Sequence, residues 1–127
     1  GAPLTVTGTV RHLSDGQFSL EDPHSHLASM IGLRAKMGNS AVLVNERLTL
    51  LLTSEKIAPM DLGQYRSQGI NPEDAKVIVV KAAVAHRQAY RPIWSREVAI
   101  DTPGLGTSTL TRLPYRHVRH PLYPLDA

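Results

Sequence analysis

The sequence predicts an α+β domain. The expected order is two β-hairpins followed by strand–helix–strand–helix–strand, with one predominant mixed sheet and an extended C-terminal tail. Three observations predict this. Two pairs of β-rich segments are each separated by a short turn signal. A β-branched run at residues 76–80 precedes an alanine-rich segment at residues 82–90 that favours helix. Pro and Gly then punctuate the chain from Asp101 onward, as in an ordered tail without regular elements.

The first hairpin is expected to begin with Leu4-Thr5-Val6-Thr7-Gly8-Thr9-Val10, which alternates apolar and β-branched residues. Ser14-Asp15-Gly16 is its turn signal, and residues 17–20 form the return strand. Residues 21–39 read as an irregular connection, with Gly32 in the middle of an aperiodic apolar stretch. The second hairpin joins Ser40-Ala41-Val42-Leu43-Val44 to residues 48–53 through Asn45-Glu46-Arg47. Consecutive Leu50, Leu51 and Leu52 imply burial on both faces of the returning strand. Residues 61–69 suit a short helix, with Asp61 as N-cap and Gly69 just past the end. Lys76-Val77-Ile78-Val79-Val80 is expected to be the central buried strand. Pro92 ends the following helix, and residues 97–100 supply a last short strand.

The 127 residues suit a single domain, residues 1–127, large enough for one hydrophobic core. Apolar residues make up 42% of the chain, which argues against disorder, whereas aromatics at 5% leave the core to aliphatic side chains. No cysteine is present, so disulfides and thiolate metal sites are excluded and a reducing compartment is compatible. No apolar run reaches the roughly 20 residues of a membrane helix. The start, Gly1-Ala2-Pro3, lacks an initiator Met and the features of a signal peptide, so the chain reads as excised from a longer protein or processed from a tag. Net charge is +3, and the basic excess sits late: residues 81–127 hold seven Lys/Arg against three Asp/Glu. Arg112, Arg116 and Arg119, with His117 and His120, could meet an anionic surface or pair with carboxylates of another domain. No nucleic-acid motif accompanies them, so nucleic acid is not the expected partner.

Two histidine pairs invite a metal reading. His24 and His26 lie on a loop with Glu21 and Asp22 nearby but no obvious third ligand. His117 and His120 are three apart, but Pro114 and Pro121 oppose a helix that would align them. Both pairs read better as incidental surface histidines. Gly104-Leu105-Gly106 lacks the third glycine of a nucleotide loop and reads as a turn. Lys81 is more informative, because it ends the expected central strand, where open sheets place functional groups. Arg87 and Tyr90 follow three apart on the expected helix and share a face. Lys81, Arg87 and Tyr90 together would suit a carboxylate or a developing oxyanion. In the competing reading Lys81 snorkels at the sheet edge and Arg87 pairs with an acid such as Asp101.

At these residues a series of motifs resembles the carboxy-terminal domain of the microcystinase C (MlrC) family of metallopeptidases. Leu13-Ser14-Asp15-Gly16-Gln17-Phe18 is similar to its L-S-D-G-x-F, and Met37-Gly38 with Ala41-Val42-Leu43 also match. Tyr65-Arg66-Ser67-Gln68-Gly69-Ile70-Asn71-Pro72 resembles its F-R-S-x-G-I-D-P. Val79-Val80-Lys81, Arg87 to Ile93, Asp101-Thr102-Pro103-Gly104 and the close from Leu113 to Asp126 continue the series in order. The resemblance implies a bacterial, cytoplasmic, zinc-dependent peptidase or amidohydrolase, whose metal ligands lie in a larger amino-terminal portion. This chain would then hold no cofactor itself and be inactive alone. It would pack on that amino-terminal metal-binding domain and help form the cleft for a peptide or amide substrate. Lys81, Arg87, Tyr90 and His86 are the substrate-binding or oxyanion-supporting candidates. Many relatives have Ser after the lysine and His-Phe before the arginine, where this chain has Ala82, Ala85 and His86. The alternative function is a non-catalytic structural or ligand-binding module.

Overall fold

The structure is a computed structural model, and it describes residues 3–102, 109–123 and 125–126. The chain divides into two compact units, Gly1–Trp94 and Ser95–Ala127. The α+β class holds. Among the described residues, five strands form two antiparallel sheets, with short helices between and after them.

The first unit opens with β1 (Thr9–Ser14) and β2 (Gln17–Ser19), followed by α1 (His26–Ile31) and β3 (Arg34–Lys36). β4 (Ser40–Asn45) and β5 (Leu48–Thr53) complete its strands. The larger sheet has the order β1-β4-β5, and the smaller pairs β2 with β3. The hairpin expected at residues 40–53 is present. Val42 lies opposite Leu51 and Asn45 opposite Leu48 across a two-residue turn, in which Glu46 has φ 43°.

The first expected hairpin is not formed. β1 pairs with β4 and β2 with β3, so the chain does not reverse at Ser14-Asp15-Gly16. Residues 9–19 instead run antiparallel to residues 34–44 as one ribbon, interrupted where Gly16 meets Gly38. Two backbone features make that crossing. Gly16 (φ 66°) and Gly38 (φ 64°) both take left-handed conformations that favour glycine. A Cβ on Gly16 would lie 2.2 Å from the Gly38 carbonyl oxygen. The Met37 amide donates to the Gly16 carbonyl at 2.9 Å, which carries the pairing across the break.

The segment expected to be irregular contains α1 and β3. Ser25 caps α1, its Oγ accepting from the Ala28 amide at 3.1 Å. Gly32 lies at the C-terminal end of α1, and its amide bonds the Ala28 carbonyl at 2.9 Å. Leu27 faces inward from α1 and joins Phe18, Leu20, Ala35 and Met37 in the core. Leu51, Ile57 and Met60 pack around that cluster.

After β5 comes α2 (Gly63–Arg66), shorter than expected. Asp61 precedes the N-cap residue Leu62, yet its buried carboxylate still secures the helix start. Oδ1 accepts from the Gly63 amide at 2.8 Å, and Oδ2 from the Glu21 amide at 2.9 Å. Gly69 follows the helix with φ 70°, as expected of a residue just past its end. Arg66 forms ion pairs with both Glu21 and Glu73, holding the residues after β2 and a 3₁₀ turn at Pro72–Asp74 to α2.

The run at residues 76–80 is not a buried central strand. It has no ladder partner among the described residues, and Val77 and Val79 are 78% and 80% exposed. β-Branched composition favours extended backbone, but only a neighbouring strand makes a sheet. The helix expected at residues 82–90 shortens to α3 (Arg87–Tyr90). Residues 97–100 are likewise not a strand, with Val98 and Ile100 exposed. The mixed sheet expected from these runs is therefore replaced by purely antiparallel pairing among the described residues. In the second unit, a 3₁₀ turn spans Leu110–Arg112, and Asp101 accepts from Arg112 and from the Thr109 hydroxyl. Gly104-Leu105-Gly106 lies outside the described residues.

Candidate functional site

α3 is a single helical turn, so it needs outside anchorage to hold a fixed orientation. Tyr90 supplies it. The residue is 2% exposed, and its hydroxyl accepts from Gln64 Nε2 at 3.1 Å and donates to the Tyr65 hydroxyl at 3.2 Å. The Tyr65 and Tyr90 rings meet edge to face, with centroids 6.3 Å apart. His86, also buried, packs edge-on against Tyr90 at 5.9 Å and Trp94 at 5.8 Å. Gln88 reaches from α3 to the Asp22 carboxylate at 2.8 Å. One side of α3 is thus tied to α2 and to the loop before α1.

The same turn carries charge. Arg87 and Arg91 are both exposed and four residues apart, which puts them one turn apart on the same face. Lys81 is exposed as well. Of the four candidates, the structure brings His86 and Tyr90 into one buried aromatic cluster, and Lys81 and Arg87 are exposed. Arg91 was missed in the sequence, although the spacing Arg87-x-x-x-Arg91 carried the signal. Gln64 and Tyr65 were missed as partners of Tyr90, and nothing local to Tyr90 points to them.

Burial, chiefly, and the neighbouring Tyr65 push the Tyr90 hydroxyl well above the ordinary tyrosine range. The hydroxyl is therefore a fixed donor, not a base. The folded state holds this proton more tightly than the unfolded chain does. The associated stabilisation is complete below the unfolded value of 10.0 and is lost as pH rises through the folded value. Urea midpoints of the wild type should fall as pH is raised above about 10, and Tyr90→Phe should show a shallower fall. Parallel curves for the two proteins would contradict the assignment.

The described residues do not fit a metal. No group of three or more His, Asp or Glu among them could hold an ion. His24 and His26 are exposed, and His26 begins α1. His120 bonds the Asp126 carboxylate at 2.7 Å, and His117 is exposed. No helix among the described residues is long and apolar enough to cross a membrane.

These features define an antiparallel α+β domain that displays a cationic helical turn on a buried aromatic anchor and has no metal-ligand set among its described residues. Residues 1–117 match the family described as MlrC C-terminus, and the chain belongs to that family. It is also similar to the crystal structure of a "putative metallopeptidase" from Mesorhizobium sp. BNC1. The TM-score is 0.68 and the identity 29%, over 94% of this chain. The match spans only 23% of that larger protein. No curated protein matches the chain in sequence.

Proposed function

We propose that this chain is the carboxy-terminal accessory domain of a zinc-dependent peptidase or amidohydrolase of bacterial cytoplasm. It packs on an amino-terminal portion that holds the metal and forms one wall of the substrate cleft. The family match and the likeness to the Mesorhizobium protein support the enzyme class. The observation that carries the role is the anchored α3: Tyr90 and His86 are buried and fix it, and Arg87 and Arg91 are exposed on it. A guanidinium held by a fixed backbone can bind a substrate carboxylate or face an oxygen that gains negative charge during amide cleavage. Lys81 would add a second positive charge. Because the described residues offer no ligand set, no step through a metal is assigned to them. In this reading Tyr90 and His86 are positioning residues.

Arg87→Ala in the full-length protein should lower turnover by roughly 10²-fold while leaving its unfolding midpoint unchanged. Unchanged turnover would overturn the assignment of Arg87. Normal activity with a lowered midpoint would favour the second reading, a structural module in which the same residues only hold an interface.

A further inference from the structure

The larger sheet has two faces, and one carries exposed aliphatic side chains among the described residues. Directly opposed residues of an antiparallel ladder point to the same side. Leu51 lies opposite Val42, and both point toward the core side. The ladder therefore places Ala41 and Leu43 of β4, and Leu50 and Leu52 of β5, on the reverse face. Across β1, Val10 lies opposite Leu43 and Leu13 opposite Ala41, so both join that face. Val10 is 54% exposed, Leu13 70% and Leu52 48%. Leu48, at the end of β5, continues the surface and is 51% exposed.

This surface contradicts the expectation that Leu50, Leu51 and Leu52 would be buried on both sides. Only Leu51 packs against the core, Leu50 is half-buried and Leu52 exposed. The sequence nevertheless has the composition of a strand covered twice. The ladder positions named on this face carry no ionisable side chain. A contiguous apolar patch of this kind on a soluble protein marks an interaction surface.

We infer that the reverse face of β1-β4-β5 docks the remainder of the same polypeptide through an uncharged, aliphatic surface. This rests on the proposal that the domain works packed against a larger portion. The length of the relative supports that occupant over a second copy. The matched Mesorhizobium protein is covered over only 23% of its chain, so most of such a protein lies outside this domain. A covalently linked partner acts at an effective concentration of about millimolar, which favours it over a second copy at ordinary protein concentrations. An aliphatic occupant also matches the absence of charge at these positions.

Carbene footprinting of the full-length protein, native and unfolded in guanidinium, tests this by mass spectrometry. Docking predicts that Leu13, Leu48 and Leu52 lose most of their labelling in the native protein. In contrast, the exposures seen in this domain would leave Leu13 labelled nearly as in the unfolded chain. Should these three remain labelled while Met30, Leu33, Val77 or Val79 are protected, the docking face is wrong but the packed-domain reading survives. If all of these residues label freely, both fail. Protection that disappears on dilution would identify a second copy as the occupant and overturn the inference. Protection of the face combined with normal turnover of Arg87→Ala would uphold docking while removing Arg87 from the site.

Discussion

Gly16→Ala is expected to destabilise the chain by roughly 3 kcal/mol, through a left-handed backbone penalty combined with steric overpacking. The new Cβ would sit 2.2 Å from the Gly38 carbonyl oxygen and 2.6 Å from Ser40 Oγ. The carbonyl is backbone within the crossing that Met37 and Gly16 close by hydrogen bonding, so it cannot swing aside as a side chain could. Gly38→Ala makes an instructive comparison. Its Cβ would first meet Ser54 Oγ at 2.2 Å and Glu55 Cγ at 2.9 Å, both side-chain atoms. Rotation of those side chains can relieve part of the clash, so a smaller loss is expected. Urea denaturation of both variants measures the order. A loss below about 1 kcal/mol for Gly16→Ala would mean that the crossing is not a point of constraint.

Tyr90→Ala is expected to cost about 3–5 kcal/mol, the usual range for deleting a buried aromatic ring. The ring contacts both Tyr65 and His86, so its removal loosens α3 from α2 and leaves a cavity between them. Tyr90→Phe isolates the hydroxyl and should cost about 1–2 kcal/mol, because Gln64 Nε2 then loses its acceptor. Gln64 is itself 4% exposed, so that donor is poorly placed to find water instead. A Phe variant as stable as the wild type would show that the Gln64–Tyr90–Tyr65 bonds contribute little. On the proposed role, Tyr90→Ala in the full-length protein should also lower turnover by displacing Arg87, whereas Tyr90→Phe should largely preserve it.

The sequence disclosed most where structure depends on neighbours along the chain. The β4–β5 hairpin was legible because both strands and the turn between them lie within fourteen residues, 40–53. Gly69 was legible because a helix end followed by glycine is a local conformational requirement. The segment at residues 14–16 shows the limit of such signals. Ser-Asp-Gly suits a hairpin reversal and a break in a long ribbon equally, and the choice depends on residues 34–40, whose pairing has no local signature. α1 was missed because six residues are too few to display a helical period.

The valine-rich run at residues 76–80 failed for a related reason. Its composition states a preference for extended backbone and says nothing about whether a strand lies beside it. The site was half legible. Arg87 and Tyr90 share spacing and family motif, but one faces solvent and the other is buried. That split depends on Gln64 and Tyr65, 26 and 25 residues away from Tyr90. The resemblance names Lys81, Arg87, Tyr90 and His86 as candidates. The packing shows that Tyr90 orients the helix that displays Arg87.

A domain that serves a metal held elsewhere in the protein should bind none itself. Metal content by plasma mass spectrometry after dialysis tests it most directly, measured on the 127-residue chain and on the full-length protein. No retained metal is expected in the chain, and close to stoichiometric zinc in the full-length protein. Stoichiometric zinc in the chain itself would contradict it, and would mean that histidines assigned here to the surface are ligands.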